Sequence, residues 1–232
     1  MDKNAIKQIS LIQELELGIE TVKSGLSIIQ SISFQRTPSF LIFLILSTGL
    51  ERILKVIIGM RLLSDQKPFP TEKELKKKYG HSLIKLRDEV LAVCYNKEKL
   101  SPPILSDDYY FLQDDILLNE FLTHLSEFAT KDRYVYMNKI SNENSTGKWL
   151  SHRWNELENK IVSQNKAIEL IENNRQEEYN EIIAVSLVKC IERLLGALTR
   201  TVTLGKMDKN SNSAGTLLYD FLFIRESQLG AK

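Results

Sequence analysis

Three histidines, His81, His124 and His152, are the side chains of this sequence best suited to move a proton near neutral pH, and they stand on three separate segments. None carries the Glu-x-x-His spacing that clamps a metal pair inside a helical bundle. A Gly-rich phosphate loop, a His-Glu-x-x-His helix and a Gly-x-Ser-x-Gly elbow do not occur in the chain. The expectation is therefore no metal and no cofactor. Glu120 and His124 are four residues apart and share a helix face, the ordinary spacing of an ion pair along a helix.

Two further sets of polar residues sit on long apolar helices. Glu51 and Arg52 interrupt one apolar run, and Lys189, Glu192, Arg193, Gly196, Arg200 and Thr203 form a stripe on another. Such a stripe is either a solvent face or the wall of an internal cleft. In the second arrangement Arg193 and Arg200 face Glu51 and Arg52, and because buried charges require partners the cleft would hold an anion. Charge is also segregated along the chain. Between Lys67 and Arg87 seven basic residues, among them Lys73, Lys76, Lys77 and Lys78, stand against two acidic ones. Between Asp107 and Glu127 there are six acidic residues and no Lys or Arg. The first run reads as a phosphate-facing patch or a solvated face, the second as a partner-facing or cation-facing patch or another solvated face. The aromatics from Tyr109 to Tyr136 offer base stacking or, by their helical spacing, core packing.

These residues need elements to hold them, and the composition says which kind. Gly 10 and Pro 5 in 232 residues are about half the usual share of roughly 12%, too few for the many turns of a sandwich or barrel. A hydrophobic fraction of 43% can bury a core, which excludes general disorder. A net charge of +1 removes whole-molecule attraction to nucleic acid or anionic lipid and leaves only local patches. Cys94 and Cys190 lie far apart on apolar faces, consistent with buried thiols in a reducing cytoplasm. The apolar run Phe40–Leu46 ends at Ser47 and meets Glu51 and Arg52, well short of the roughly 20 residues a bilayer span needs. No membrane partner is expected.

Helical periodicity dominates. Ile9, Ile12, Leu15, Ile19, Val22, Leu26 and Ile29 predict a helix over 5–33, and a second covers 38–63 with Thr48, Glu51, Arg52, Lys55 and Gly59 on one polar stripe. After the connector Lys67–Pro70, Thr71 and Glu74 form a capping box, and Gly80 closes a short helix. Further helices are predicted over 82–97, from Asp107 or Asp108 to about Thr130 with Tyr110 inward, over 149–174, 177–204 and 216–228. No strand-like alternation competes. The expectation is an all-α bundle of about seven or eight helices in a single domain over 1–232, with a sub-boundary in the polar loop 141–148.

The stretch GLERILKVIIGMRLL…KPFPTEKELKKKYGHSLIKL, beginning at Gly49, resembles the first half of the HEPN superfamily (higher eukaryotes and prokaryotes nucleotide-binding domains). Glu51, Arg52, Lys55, His81, Leu83 and Leu86 match its layout of a Glu-Arg pair, a connector and a Gly-His step into a Leu-rich helix. Asp132-Arg133-Tyr134 is similar to its Arg-Tyr step, so the likeness covers about 49–138. The segment CIERLLGALTRTVTLG with its closing DFLFIRESQLG resembles a pattern recurrent among uncharacterised bacterial all-helical proteins. HEPN ribonucleases carry an Arg-x(4–6)-His motif. Here the positions that would need Arg are Glu74, Leu75 or Lys76 for His81, Leu117, Leu118 or Asn119 for His124, and Ser145, Thr146 or Gly147 for His152. The resemblance thus implies a binding or interaction protein, in a nucleic-acid or defence setting, without that chemistry. Two alternatives stand beside it: a divergent ribonuclease using Arg133 and Asn138 with His81 as substitute acid/base, and a structural homodimer.

Overall fold

The computed structural model describes residues 3–32, 39–95, 102–141, 148–165, 167–205, 207, 217, 218, 221 and 230. Among them the chain is all-α. Helix α1 (Lys3–Gln30) and α2 (Ser39–Ser64) run antiparallel, fixed by contacts of Gly18 with Gly49 and of Gly25 with Leu46. A Cβ on Gly49 would lie 2.9 Å from the Gly18 carbonyl oxygen, so the helices cross at a distance only glycine permits. Leu15, Ile19, Val22, Leu26 and Ile29 of α1 are buried as the spacing predicts, whereas Ile6 and Ile9 at its start are 46% and 45% exposed. That exposed first turn becomes important at the site.

Helix α2 is the centre of the bundle, packed by α1, by α4 (Leu83–Cys94), by α6 (Ile116–Glu127) and by α8 (Leu150–Asn165). The connector after α2 leads into α3 (Glu72–Lys78), where Thr71 and Glu74 make both halves of the predicted capping box. Gly80 takes φ +57, the left-handed conformation expected of the residue that ends such a turn. Helices α5 (Pro103–Asp114), α7 (Val135–Ile140), α9 (Ile168–Glu172) and α10 (Gln176–Leu204) complete the set. Helix α10 packs against α1, α5, α8 and α9, and one apolar core runs through both halves of the chain. Helices α1, α2, α3, α4 and α10 stand where the periodicity and capping predict them, and the all-α bundle is as expected, whereas α7 is an addition.

Several expectations need correction. The helix predicted from Asp107 to Thr130 is two helices, broken at Asp115, whose carboxylate accepts from the Leu118 amide as an N-cap. It ends in a π-turn, Phe128–Asp132, rather than in regular α-helix. Tyr110 is 59% exposed, not inward, because α5 is rotated to bury Tyr109, Phe111 and Leu112. The predicted 149–174 helix is α8 followed by the separate α9. Gly59 does not belong to a polar stripe: it is buried, and Phe69 of the connector packs into the space its missing side chain leaves, with a Cβ there only 1.8 Å from the ring. The loop centre 142–147 and most of the closing 216–228 helix lie outside the described residues. No helix among the described residues is long and apolar enough to cross a membrane.

Candidate functional site

Glu51, Arg52 and Lys55 project from one sector of α2. Lys55 Nζ donates to Glu51 Oε1 at 2.5 Å across one helical turn, and Arg52 Nη1 donates to Glu14 Oε1 of α1 at 2.7 Å. Glu51 also receives His81. The left-handed Gly80 turns the chain so that His81 Nδ1 lies 2.9 Å and 3.1 Å from the two Glu51 oxygens, and Ser82 then caps α4 by accepting from the Lys85 amide. A carboxylate only accepts, so this contact puts the proton of neutral His81 on Nδ1 and leaves Nε2 as an acceptor.

Arg133 arrives from the opposite side. The π-turn carries one residue more than an α-turn would, and its Asp132 is held by Arg153 of α8, which also binds Glu127. Arg153 and Asp132 are 2% and 3% exposed. This pair fixes the backbone immediately before Arg133. The Nε of Arg133 is buried and has no hydrogen-bond partner among the described residues.

Two hollows share His81 and Arg133. One, of about 730 Å³, is a trough along α2 and the first turns of α1 that includes Glu14, Glu51, Arg52, Lys55, His81 and Arg133. The other, of about 700 Å³, lies between His81 and the π-turn and is lined by Lys131, Arg133, Tyr134, Met137 and Asn138. The catalytic candidates His81, Arg133 and Asn138 therefore meet in one groove. Tyr134 and Met137 are 63% and 64% exposed there, and close by on α7 Tyr136 stacks edge-on with Trp149 at 5.4 Å.

Half of the expected anion cleft lies elsewhere. Arg193 and Arg200 line a separate hollow of about 560 Å³ beside α5, remote from Glu51 and Arg52. Arg200 makes a two-pronged bond to Asp108 at 2.7 Å and 2.6 Å, and the Arg193 guanidinium lies 4.2 Å over the Phe111 ring. Both guanidinium groups already have protein partners. The Glu-Arg pairs of α2 and α10 look alike in sequence yet do different work, since Glu192 accepts from the Gly230 amide at 2.7 Å.

The charge runs also resolve into separate roles. Lys73, Lys76 and Lys77 are exposed on α3, where no ion pair holds them among the described residues. Lys78 is tied to Glu89 at 2.6 Å. Arg87, counted with the basic run, is buried and binds the Leu112 carbonyl, Asn119 and Asp88. In the acidic run Asp108 and Glu127 are ion-paired and Asp115 is a cap, so no continuous acidic face forms. No group of three His, Cys, Asp or Glu close enough to hold a metal ion is present among the described residues.

His124 is remote from proton chemistry but sensitive to pH. It is 3% exposed, with Glu120 Oε1 3.3 Å from Nε2 and Glu156 Oε2 4.0 Å from Nδ1, neither aligned as a hydrogen bond. Burial pushes its pKa down, and the nearby Glu120 only partly offsets this. The unfolded chain takes up the proton near an ordinary imidazole value of about 6.5 while the folded chain resists it. Stability from this group is thus complete above about pH 6.5 and is lost as the pH falls below it, at up to about 1.4 kcal/mol per pH unit. Urea midpoints of wild type should drop between pH 7.5 and 5.5, and His124→Phe should drop measurably less.

Comparison with known proteins adds no relative: no family model, curated protein or solved structure matches the chain.

Proposed function

We propose that the chain is a nucleic-acid-binding protein of HEPN-like descent over 49–138, working in the cytoplasm without the Arg-x(4–6)-His chemistry. The observation that carries this reading is the guanidinium of Arg133, which has no carboxylate partner among the described residues and lines both hollows, with Lys131 beside it in the second. A half-buried guanidinium without an anionic partner is costly, and a phosphate in the groove would supply one. Lys73, Lys76 and Lys77, exposed and without an ion pair among the described residues, lie on α3 just before His81 in the chain and add positive charge. Tyr134 and Met137 offer exposed apolar faces to unstacked bases.

Fluorescence anisotropy with a labelled single-stranded RNA tests the reading. Lys76→Glu with Lys77→Glu should weaken binding by about tenfold or more near 0.1 M salt and flatten the dependence on salt, since fewer counterions are released. Arg133→Gln should weaken it as well. Wild-type protein that does not bind, or charge-reversed protein that binds equally, would remove the reading.

A specific contact favours a second reading, a divergent ribonuclease. The Glu51–His81 bond leaves His81 Nε2 as an acceptor next to a cation, the arrangement of a general base beside a phosphate site. A cleavage assay in which His81→Ala and Arg133→Ala are as active as wild type would exclude it.

A further inference from the structure

We infer that the trough along α2 binds an amphiphilic monoanion, a free carboxylate on an apolar chain, independently of the nucleic-acid reading. The trough changes character along its length. Thr48 to Leu63 on α2 spans about 22 Å of helix at 1.5 Å per residue. Its first part carries Glu51, Arg52 and Lys55, with Glu14, His81 and Arg133 around them. Beyond Val56 the lining turns apolar, with Leu63, Phe69 and Leu75. Because α1 runs antiparallel, with Glu14 beside Arg52, its first turn brings Ile6 to this apolar end. Phe69 is seated there by its contact with Gly59.

The charges specify the head group. Arg52 is matched by Glu14, and Lys55 by Glu51, which His81 also meets. Arg133 is the cation at this end without a carboxylate partner among the described residues, and its Nε is buried and unbonded. One uncompensated cation suits one negative charge. Toward the opposite end the polar lining is Ser10, whose hydroxyl donates to the Ile6 carbonyl at 2.9 Å, and the exposed Lys7, whose alkyl stem can pack while its ammonium stays in water. Ile6 stands 46% exposed on the rim, an apolar wall that an alkyl chain would cover. The volume of about 730 Å³ lies within the range of small-molecule sites.

Titration calorimetry with decanoate, decan-1-ol and butanoate, all below micellar concentration and without nucleic acid, tests the inference. Decanoate should bind one molecule per chain, decan-1-ol at least about tenfold more weakly and butanoate not measurably. Arg133→Gln should bring decanoate down to the level of the alcohol. Ile6→Glu, at an exposed position, should abolish decanoate binding while circular dichroism stays unchanged. Absent or non-stoichiometric decanoate binding, equal affinity for the alcohol, or indifference to either substitution overturns it. RNA anisotropy on the same protein reports the nucleic-acid reading separately, so the failure of one leaves the other standing.

Discussion

Arg153→Ala should lower folding stability by about 3–5 kcal/mol, the cost of leaving a buried charge without its partner. Arg153 and Asp132 are almost wholly inaccessible, and the guanidinium serves both Asp132 and Glu127. Glu127, about a third exposed at its side chain, can turn to water once the arginine is gone. Asp132 cannot, and its Oδ1 already lacks a hydrogen-bond partner among the described residues. Arg153→Lys should recover only part of the loss, because one ammonium does not reproduce a fork spanning two carboxylates. The pair Arg153→Met with Asp132→Leu should cost less than Arg153→Ala alone, since no charge is then stranded. Urea denaturation at pH 7.5 measures all three. A loss under 1 kcal/mol for Arg153→Ala would mean that Asp132 is solvated in the folded protein. The same substitution should weaken RNA binding even where the fold survives, because Asp132 anchors the residue before Arg133.

Phe43→Ala is expected to cost a further large amount, about 3–5 kcal/mol. Phe43 is fully buried on α2, its ring 5.8 Å from that of Phe128 and 6.2 Å, edge-on, from that of Trp154. It therefore joins α2 to the π-turn and to α8, elements separated by some hundred residues of sequence. Phe43→Leu should cost less than half as much, since most of the volume is kept. Both variants should unfold in one transition with the denaturant slope of wild type. A biphasic curve, with helix content lost in two steps, would show that the segments on either side of 141–148 fold separately.

Much of the fold was legible because it rests on local signals. The α1 and α2 stripes, the Thr71–Glu74 box and the left-handed Gly80 each follow from a few neighbouring residues. The break at Asp115 was not read, since apolar spacing continues from Leu112 to Leu118 across it. Asp108 reads as a helix cap from sequence, yet it is buried within α5 as the partner of Arg200, which only the tertiary structure brings to it. The site was half legible. Glu51, Arg52, His81 and Arg133 line one trough although the sequence assigns them to two different sets, because the Gly80 turn and the unpredicted π-turn bring His81 and Arg133 to α2. Arg193 and Arg200 do not join them, and nothing in the α10 stripe distinguishes a face turned to α5 from one turned to α2. The Gly59–Phe69 contact had a signal, a glycine within an apolar helix followed by Pro-Phe-Pro, that was assigned to polarity instead of close packing.

The widened turn at Phe128–Asp132 has a consequence for how this chain can change over generations. Each residue of a helix advances the next by about 100° around the axis. Losing a single codon from that turn would leave the α6 stripe untouched but turn the residues that close it by that angle, carrying Asp132 away from Arg153 and the guanidinium of Arg133 away from both hollows. A one-residue deletion is thus enough to silence the site, at the cost of a stranded buried charge, and its reversal is enough to restore it.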